Sequence, residues 1–214
     1  NNNFNGQINY TFPNTSNNPN LLPERTKSIE LGLEASMFNK RLGFDVSVYK
    51  SSSINQIVSG AVSSSSSFTN AIVNGGEIQN KGMEIQLTGT PIKTQDFQWD
   101  ITANWSTNKN IVVSLPNGLQ NLQLGSFQGG VTINATPGEP YGTIKGTDYI
   151  YLNGQKVVSQ TTGQYLRTSA SDVTIGNITP KWIGGLRNKV TYKNVSLSFL
   201  LDMQKGGDIF SLDM

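Results

Sequence analysis

The sequence predicts an all-β chain built from long antiparallel meander strands. Three observations carry this. Apolar and polar residues alternate with period two over long stretches, which is the spacing of a strand with one apolar face. The runs extend to roughly 9–11 residues, longer than the 5–6 usual in globular sheets. The composition is rich in Asn, Ser, Thr, Gln and Gly, which compete with helical hydrogen bonds and favour strands and turns.

The first clear strand runs from Ser28 to Met37, with Ile29, Leu31, Leu33, Ala35 and Met37 on one face and Glu30 and Glu34 on the other. Phe38–Arg41 is short enough for a hairpin turn. The second strand, Leu42 to Lys50, places Leu42, Phe44, Val46 and Val48 opposite Asp45 and Tyr49. The third spans Ile78 to Thr88, where Met83, Ile85 and Leu87 oppose Glu84 and Gln86. A turn over Gly89–Asp96 leads to Phe97–Trp105, where Phe97, Trp99, Ile101, Ala103 and Trp105 oppose Asp100 and its polar neighbours. A last hairpin joins Trp182–Tyr192 to Val195–Met203 through Lys193–Asn194, and Leu197 and Phe199 lie on its apolar face. With one more strand near Phe4–Phe12, about seven long strands are expected. The segments left over, about 51–76 and 106–180, read as large loops.

Several function classes drop out. The chain has 214 residues, a formal net charge of +2 and only 14% charged residues, scattered without a basic stripe, so nucleic-acid binding is not expected. It has no cysteine and no histidine, which removes disulfides, thiolate chemistry and the usual general base. No phosphate-binding loop, EF-hand loop or nucleophile elbow occurs, so no catalytic residue, metal or cofactor is assigned. A carboxylate pair acting on glycosides has no local motif to support it. No apolar run reaches the roughly 20 residues of a membrane helix. The N-terminal residues lack the apolar core of a secretion signal. Nine Phe, seven Tyr and three Trp in patterned runs argue against disorder.

Two architectures fit long alternating strands. A β-sandwich, which would make the chain a soluble glycan-binding module or adhesin, buries one face of each sheet against the other. A membrane β-barrel turns its apolar face to lipid and its polar face to a wet lumen, with short turns on the periplasmic side and long loops outside. Strand length, aromatic residues near strand ends and the polar opposite faces favour the barrel. Lipid-facing candidates are then Leu31, Leu33, Phe44, Val46, Trp99, Ile101, Trp105, Leu197 and Phe199, and lumen-facing candidates are Glu30, Glu34, Asp45, Glu84 and Asp100. Trp99 and Trp105 could stack on sugar rings, but their common face with Phe97 and Ile101 fits an aromatic belt better.

Several segments resemble a known family in a fixed order. They are Asn18-Pro-Asn-Leu-Leu-Pro-Glu-Arg-Thr-Lys-Ser-Ile-Glu-Leu-Gly-Leu-Glu34, Asn39-Lys-Arg-Leu-Gly-Phe-Asp-Val-Ser-Val-Tyr49, and Asn74-Gly-Gly-Glu-Ile-Gln-Asn-Lys-Gly-Met-Glu84. Phe97-Gln-Trp-Asp100, Asn104-Trp-Ser-Thr-Asn-Lys-Asn110, Pro137-Gly-Glu-Pro-Tyr-Gly142 and Gly206-Gly-Asp-Ile209 follow. From about residue 15 to 214 the chain resembles the C-terminal barrel region of SusC/RagA-type TonB-dependent outer-membrane transporters of Bacteroidota. The resemblance implies part of a barrel of about 22 strands, in the outer membrane of a Gram-negative bacterium. It implies import of large nutrients, oligosaccharides foremost and peptides for some members. It also implies a SusD-like surface lipoprotein as partner, and TonB engaged through an N-terminal region. The plug domain and TonB box of the family are not among these residues, so residues 1–214 are expected to be a barrel segment of a longer polypeptide.

Within the most specific motif, Asn74, Gly75, Asn80, Lys81 and Gly82 are expected to shape a turn. Gly75 and Gly76 would supply positive φ, and Asn80-Lys81-Gly82 a bulge. Asn18–Pro23 is expected to be a rigid lead-in to the first strand, with both prolines outside the ladder.

Overall fold

The computed structural model describes residues 3–4, 7–8, 13–61, 65 and 67–211. Its central feature is a six-stranded antiparallel sheet. The strands are β1 (Arg25–Met37), β2 (Leu42–Ile54), β3 (Glu77–Lys93), β4 (Phe97–Ser114), β5 (Pro180–Tyr192) and β6 (Val195–Gly206). The order across the sheet is β6-β5-β4-β3-β2-β1, a plain meander. Three tight turns, 38–41, 94–96 and 193–194, close one end. In the first, Phe38, Asn39 and Lys40 all take positive φ, between 52° and 64°. Such left-handed turns match the twist of the flanking strands.

The strands run further than alternation alone indicates. β4 is 18 residues long and β3 is 17. At about 3.4 Å per residue, β4 extends about 60 Å, twice the hydrocarbon thickness of a bilayer. The stretch Ser106–Ser114, expected to be loop, is strand. It was hidden because Thr107, Asn108, Lys109 and Asn110 are polar on both faces, so no alternation marks them. The turn expected over Gly89–Asp96 shrinks to Thr94–Asp96, and a register shift between Gly89 and Ile92 absorbs the extra residues. Of the strand expected near Phe4–Phe12, Asn3–Phe4 and Gln7–Ile8 form a two-residue ladder. The remainder lies outside the described residues.

At the other end of the sheet the connections are elaborated rather than loose. Thr15–Ser16, Ile57–Ala61 and Asn70–Asn74 form a three-stranded sheet. Leu122–Ser126, Thr132–Ala135, Thr143–Gly146 and Val173–Asn177 form a four-stranded one. The buried apolar residues sit here: Val112, Leu122 and Ala135 form a small core, packed by Val58, Leu115 and Tyr141. Val112 links this lobe to β4, because its N–H donates to Glu139 O at 3.0 Å and its carbonyl accepts from Gly138 N–H at 2.8 Å.

The large sheet has no such core. Its apolar side lies bare: Leu31 is 73% exposed, Leu33 63% and Leu197 69%. In a sandwich this side would be covered by a second sheet. The architecture is therefore a partial barrel wall with a folded cap of loops at one end.

Candidate functional site: two faces of a barrel wall

Cross-strand register decides which side chains share a face. Leu33 pairs with Val46, Val46 with Ile85, Ile85 with Trp105, and Trp105 with Gly184, which pairs with Met203. The next row, two residues nearer the tight turns, is Ala35, Phe44, Leu87, Ala103, Leu186 and Leu201. The rows therefore build one continuous apolar face from six separate segments. Leu31 pairs with Val48, Phe199 with Asn188 and Asn188 with Ile101, while Leu197 pairs with Val190 and Val190 with Trp99. All nine residues Leu31, Leu33, Phe44, Val46, Trp99, Ile101, Trp105, Leu197 and Phe199 thus fall on one side. A polar residue on this side, Asn188, is satisfied there, since Trp99 Nε1–H donates to its Oδ1 at 3.3 Å.

The opposite face is mostly polar, interrupted by Ile183 and Leu200. Glu34 pairs with Asp45, Asp45 with Gln86, Gln86 with Asn104, Asn104 with Gly185 and Gly185 with Asp202. The adjacent row runs Gly32, Ser47, Glu84, Ser106, Ile183 and Gln204. Members of these rows on β2 to β6, among them Ser47, Gln86, Asn104, Ser106 and Gln204, line a concavity of about 570 Å³ in the curved sheet. Asp45 and Glu84 border it, joined by Asp202, which alternation puts on the polar face of the last strand but which is not among the five lumen-facing candidates. Glu30 lies one row outward, opposite Tyr49. Asp100 lies toward the tight turns, opposite Lys189. Its carboxylate accepts hydrogen bonds from Thr90 Oγ1 at 2.8 Å and from Gln98 Nε2 at 2.8 Å. The arrangement offers amides, hydroxyls and carboxylates to a polar solute. Among the described residues no cluster of three metal-ligating side chains occurs.

The motif residues have structural roles, two of them different from those expected. Asn74 is a clamp: its Nδ2 donates to Leu22 O at 2.7 Å and Asn55 O at 2.9 Å, and its Oδ1 accepts from Leu22 N–H at 2.5 Å. One side chain thus pins the Asn18–Pro23 lead-in to the far end of β2. Gly76 has a φ of +87°, but Gly75 does not take a positive φ. Gly75 is small because Pro116 packs against it; a Cβ there would stand 2.3 Å from Pro116 Cβ. Asn80-Lys81-Gly82 forms no bulge, for the register Ser51–Asn80, Lys50–Lys81, Tyr49–Gly82 is unbroken. A Cβ on Gly82 would meet the Tyr49 ring at 2.6 Å and the Thr107 carbonyl at 2.4 Å. Gly82 therefore makes room for Tyr49, whose hydroxyl donates to Asn108 Oδ1 at 3.3 Å, while Asn108 Nδ2 donates to Asn80 Oδ1 at 3.2 Å. The partners Tyr49 and Pro116 are distant in sequence, so local spacing carried no sign of them.

The other familiar segments fasten the cap. Tyr141 N–H donates to Asn110 Oδ1 at 3.2 Å, and Gly142, at φ +90°, turns the chain beside Ile178. Asp208 N–H donates to Asn177 O at 2.7 Å and Asp208 Oδ2 accepts from Asn177 N–H at 2.8 Å, which closes the base of the long loop.

Comparison with known proteins agrees with this geometry. The family described as "TonB dependent receptor-like, beta-barrel" matches residues 1–208. TonB-dependent receptor P26 of Formosa agariphila is 28% identical over 92% of this chain and 22% of its own length. TonB-dependent receptor SusC of Bacteroides thetaiotaomicron is 29% identical over 47% of this chain and 10% of its own. A solved structure titled "Structure of the RagAB peptide importer in the 'closed-closed' state" superposes with a TM-score of 0.71 at 23% identity, covering 89% of this chain and 22% of the other. That likeness concerns the fold. The chain spans about a fifth of the length of such relatives. A matched family profile over nearly all residues, a meander of long strands and an uncovered apolar face together place the chain in the β-barrel family of TonB-dependent receptors.

Proposed function

We propose that this segment is the C-terminal part of the barrel of a TonB-dependent importer in the outer membrane of a Gram-negative bacterium. The observation that carries the reading is the division of the six-stranded sheet into a bare apolar face and a polar concave face. Lipid covers the first and the solute path runs along the second. The nine apolar residues named above then face acyl chains, and Glu30, Glu34, Asp45, Glu84 and Asp100 face the lumen. The tight turns point to the periplasm and the folded cap to the outside.

The cargo is a large polar nutrient. Gln86, Asn104, Ser47 and Gln204 on the concave face present neutral donors and acceptors, which suit a hydroxyl-rich oligosaccharide first. A peptide is the second reading, supported by the fold shared with a structure titled as a peptide importer. A SusD-like surface lipoprotein seats on the cap, whose exposed Tyr151, Leu152 and Tyr165 offer apolar area. TonB supplies energy through a region of the polypeptide outside this segment. The segment itself performs no covalent chemistry.

The test uses the whole polypeptide that carries this segment. It is expected to fractionate with outer membranes, to require detergent, and to migrate faster unheated than heated. Cells lacking it are expected to lose growth on one oligosaccharide or peptide of a panel while keeping growth on the constituent monomers. A freely soluble product, or unaltered growth across the panel, contradicts the reading.

A further inference from the structure

The apolar side of the sheet does not end in neutral residues. One row outward from Val48, Met83 and Thr107, toward the cap, stand Lys50, Lys81 and Lys109. Register pairs Lys50 directly with Lys81 and Lys81 directly with Lys109. All three are exposed. They share the parity of the apolar face, because Ile29 pairs with Lys50 and stands two residues before Leu31.

Like charges directly opposite each other destabilise a sheet. Here the clash occurs twice in succession, on three adjacent strands. The strands are β2, β3 and β4, which lie inside the sheet, so protection of an open edge does not account for the lysines. The sheet itself does not neutralise them. Glu30 and Glu84 lie on the other face. Glu77 shares their face, but it stands beyond Gln79 on β3 and accepts a hydrogen bond from Ser52 Oγ at 2.5 Å. Among the described residues no carboxylate pairs with any of the three. On the far side of the same rows, the Tyr49–Asn108–Asn80 hydrogen bonds brace the three strands, so the ammonium groups extend from a fixed base.

Spacing and height then limit the ligand. Adjacent strands are about 4.8 Å apart, so the three lysines span about 10 Å. They sit just above the apolar band, on the side away from the tight turns. Given the barrel orientation proposed above, on which this inference rests, that is the headgroup level of the outer leaflet. A flexible lysine near a band end can also reach solvent alone. Three side by side on adjacent strands concentrate positive charge that a single snorkelling residue would not need. We propose that Lys50, Lys81 and Lys109 form a binding site for the phosphate groups of an outer-leaflet lipid headgroup. The phosphate removes the repulsion among the lysines, and its acyl chains lie along the apolar rows below.

The experiment uses the full-length receptor in detergent, followed by native mass spectrometry. The probes are a bisphosphorylated glucosamine-disaccharide lipid, the same lipid without phosphates, and inorganic phosphate. The wild type is expected to retain the phosphorylated lipid at least tenfold better than its dephosphorylated form. Lys50→Gln/Lys81→Gln/Lys109→Gln is expected to lower that preference at least fivefold, and Lys81→Gln alone to lower it less. Lys193→Gln, at a tight turn, should leave it unchanged. Without lipid, the triple variant should melt no lower than wild type, because it loses only repulsion. Equal retention by wild type and triple variant overturns the site, and so does full competition by millimolar inorganic phosphate. Unheated gel mobility is measured on the same samples. A wild type without heat-modifiable mobility overturns the barrel reading and the site together, whereas a heat-modifiable barrel without phosphate preference overturns the site alone.

Discussion

Gly82 shows how one position can look special in sequence for the wrong reason. Its place in Asn80-Lys81-Gly82 suggests a bulge, yet the backbone there is regular strand and the Tyr49 ring occupies the space a side chain would need. Gly82→Ala is expected to cost about 1–3 kcal/mol through overpacking, because the Thr107 carbonyl is backbone and cannot move aside. Thermal unfolding of the detergent-solubilised receptor measures this. Tyr49→Ser in the same background should restore part of the loss, since it removes the ring but not the carbonyl. An unchanged melting point in Gly82→Ala would contradict the packing role. Asn74 is the converse case. Its motif signalled importance, but the clamp on Leu22 and Asn55 depends on contacts up to 52 residues apart that no local pattern encodes.

Strands were legible where one face meets an apolar environment and the other water. Leu31, Val46, Ile101 and Leu197 set a phase that the register then extends across the sheet. Legibility failed where both faces carry polar side chains, as at Thr107–Asn110 and Ser51–Ser53. Ser106–Ser114 continues β4, and Ser51–Ile54 continues β2, without alternation. The cap looks like loop in sequence for a different reason: the strands of its four-stranded sheet are four or five residues long, and its core rests on a few side chains such as Val112 and Leu122. Adjacent residues on β4 test the faces. Ile101→Arg is expected to cost about 2–4 kcal/mol of barrel stability if its side meets lipid near the midplane. Asp100→Asn keeps an oxygen acceptor for Thr90 and Gln98, and assembly should be unaffected. Urea titration of the receptor refolded into lipid vesicles compares the two, and equal tolerance would contradict the face assignment.

At the scale of the whole molecule, the cations at the cap end lie on the apolar face, while most of the carboxylates lie on the concave face together with Lys93, Arg187 and Lys189. Arg25, Lys27, Lys50, Lys81, Lys109 and Lys205 have the parity of the apolar face, at its cap end. Glu30, Glu34, Asp45, Glu84, Asp100 and Asp202 have the parity of the concave face. A formal net charge of +2 conceals this separation, which only the register reveals. An apolar band that ends in cations on one face, with most of the carboxylates on the other, is what a membrane barrel wall predicts rather than a soluble sheet. The measurement closest to this claim is a spin-label scan of β6, convenient because this segment contains no native cysteine. Single cysteines at positions 197 to 203 in the receptor, reconstituted in lipid, are labelled and their accessibility to oxygen and to a water-soluble nickel chelate compared. The account predicts a period of two, with oxygen favoured at Leu197, Phe199 and Leu201 and the chelate favoured at Ser198, Leu200 and Asp202. The opposite phase, or no alternation, would contradict it.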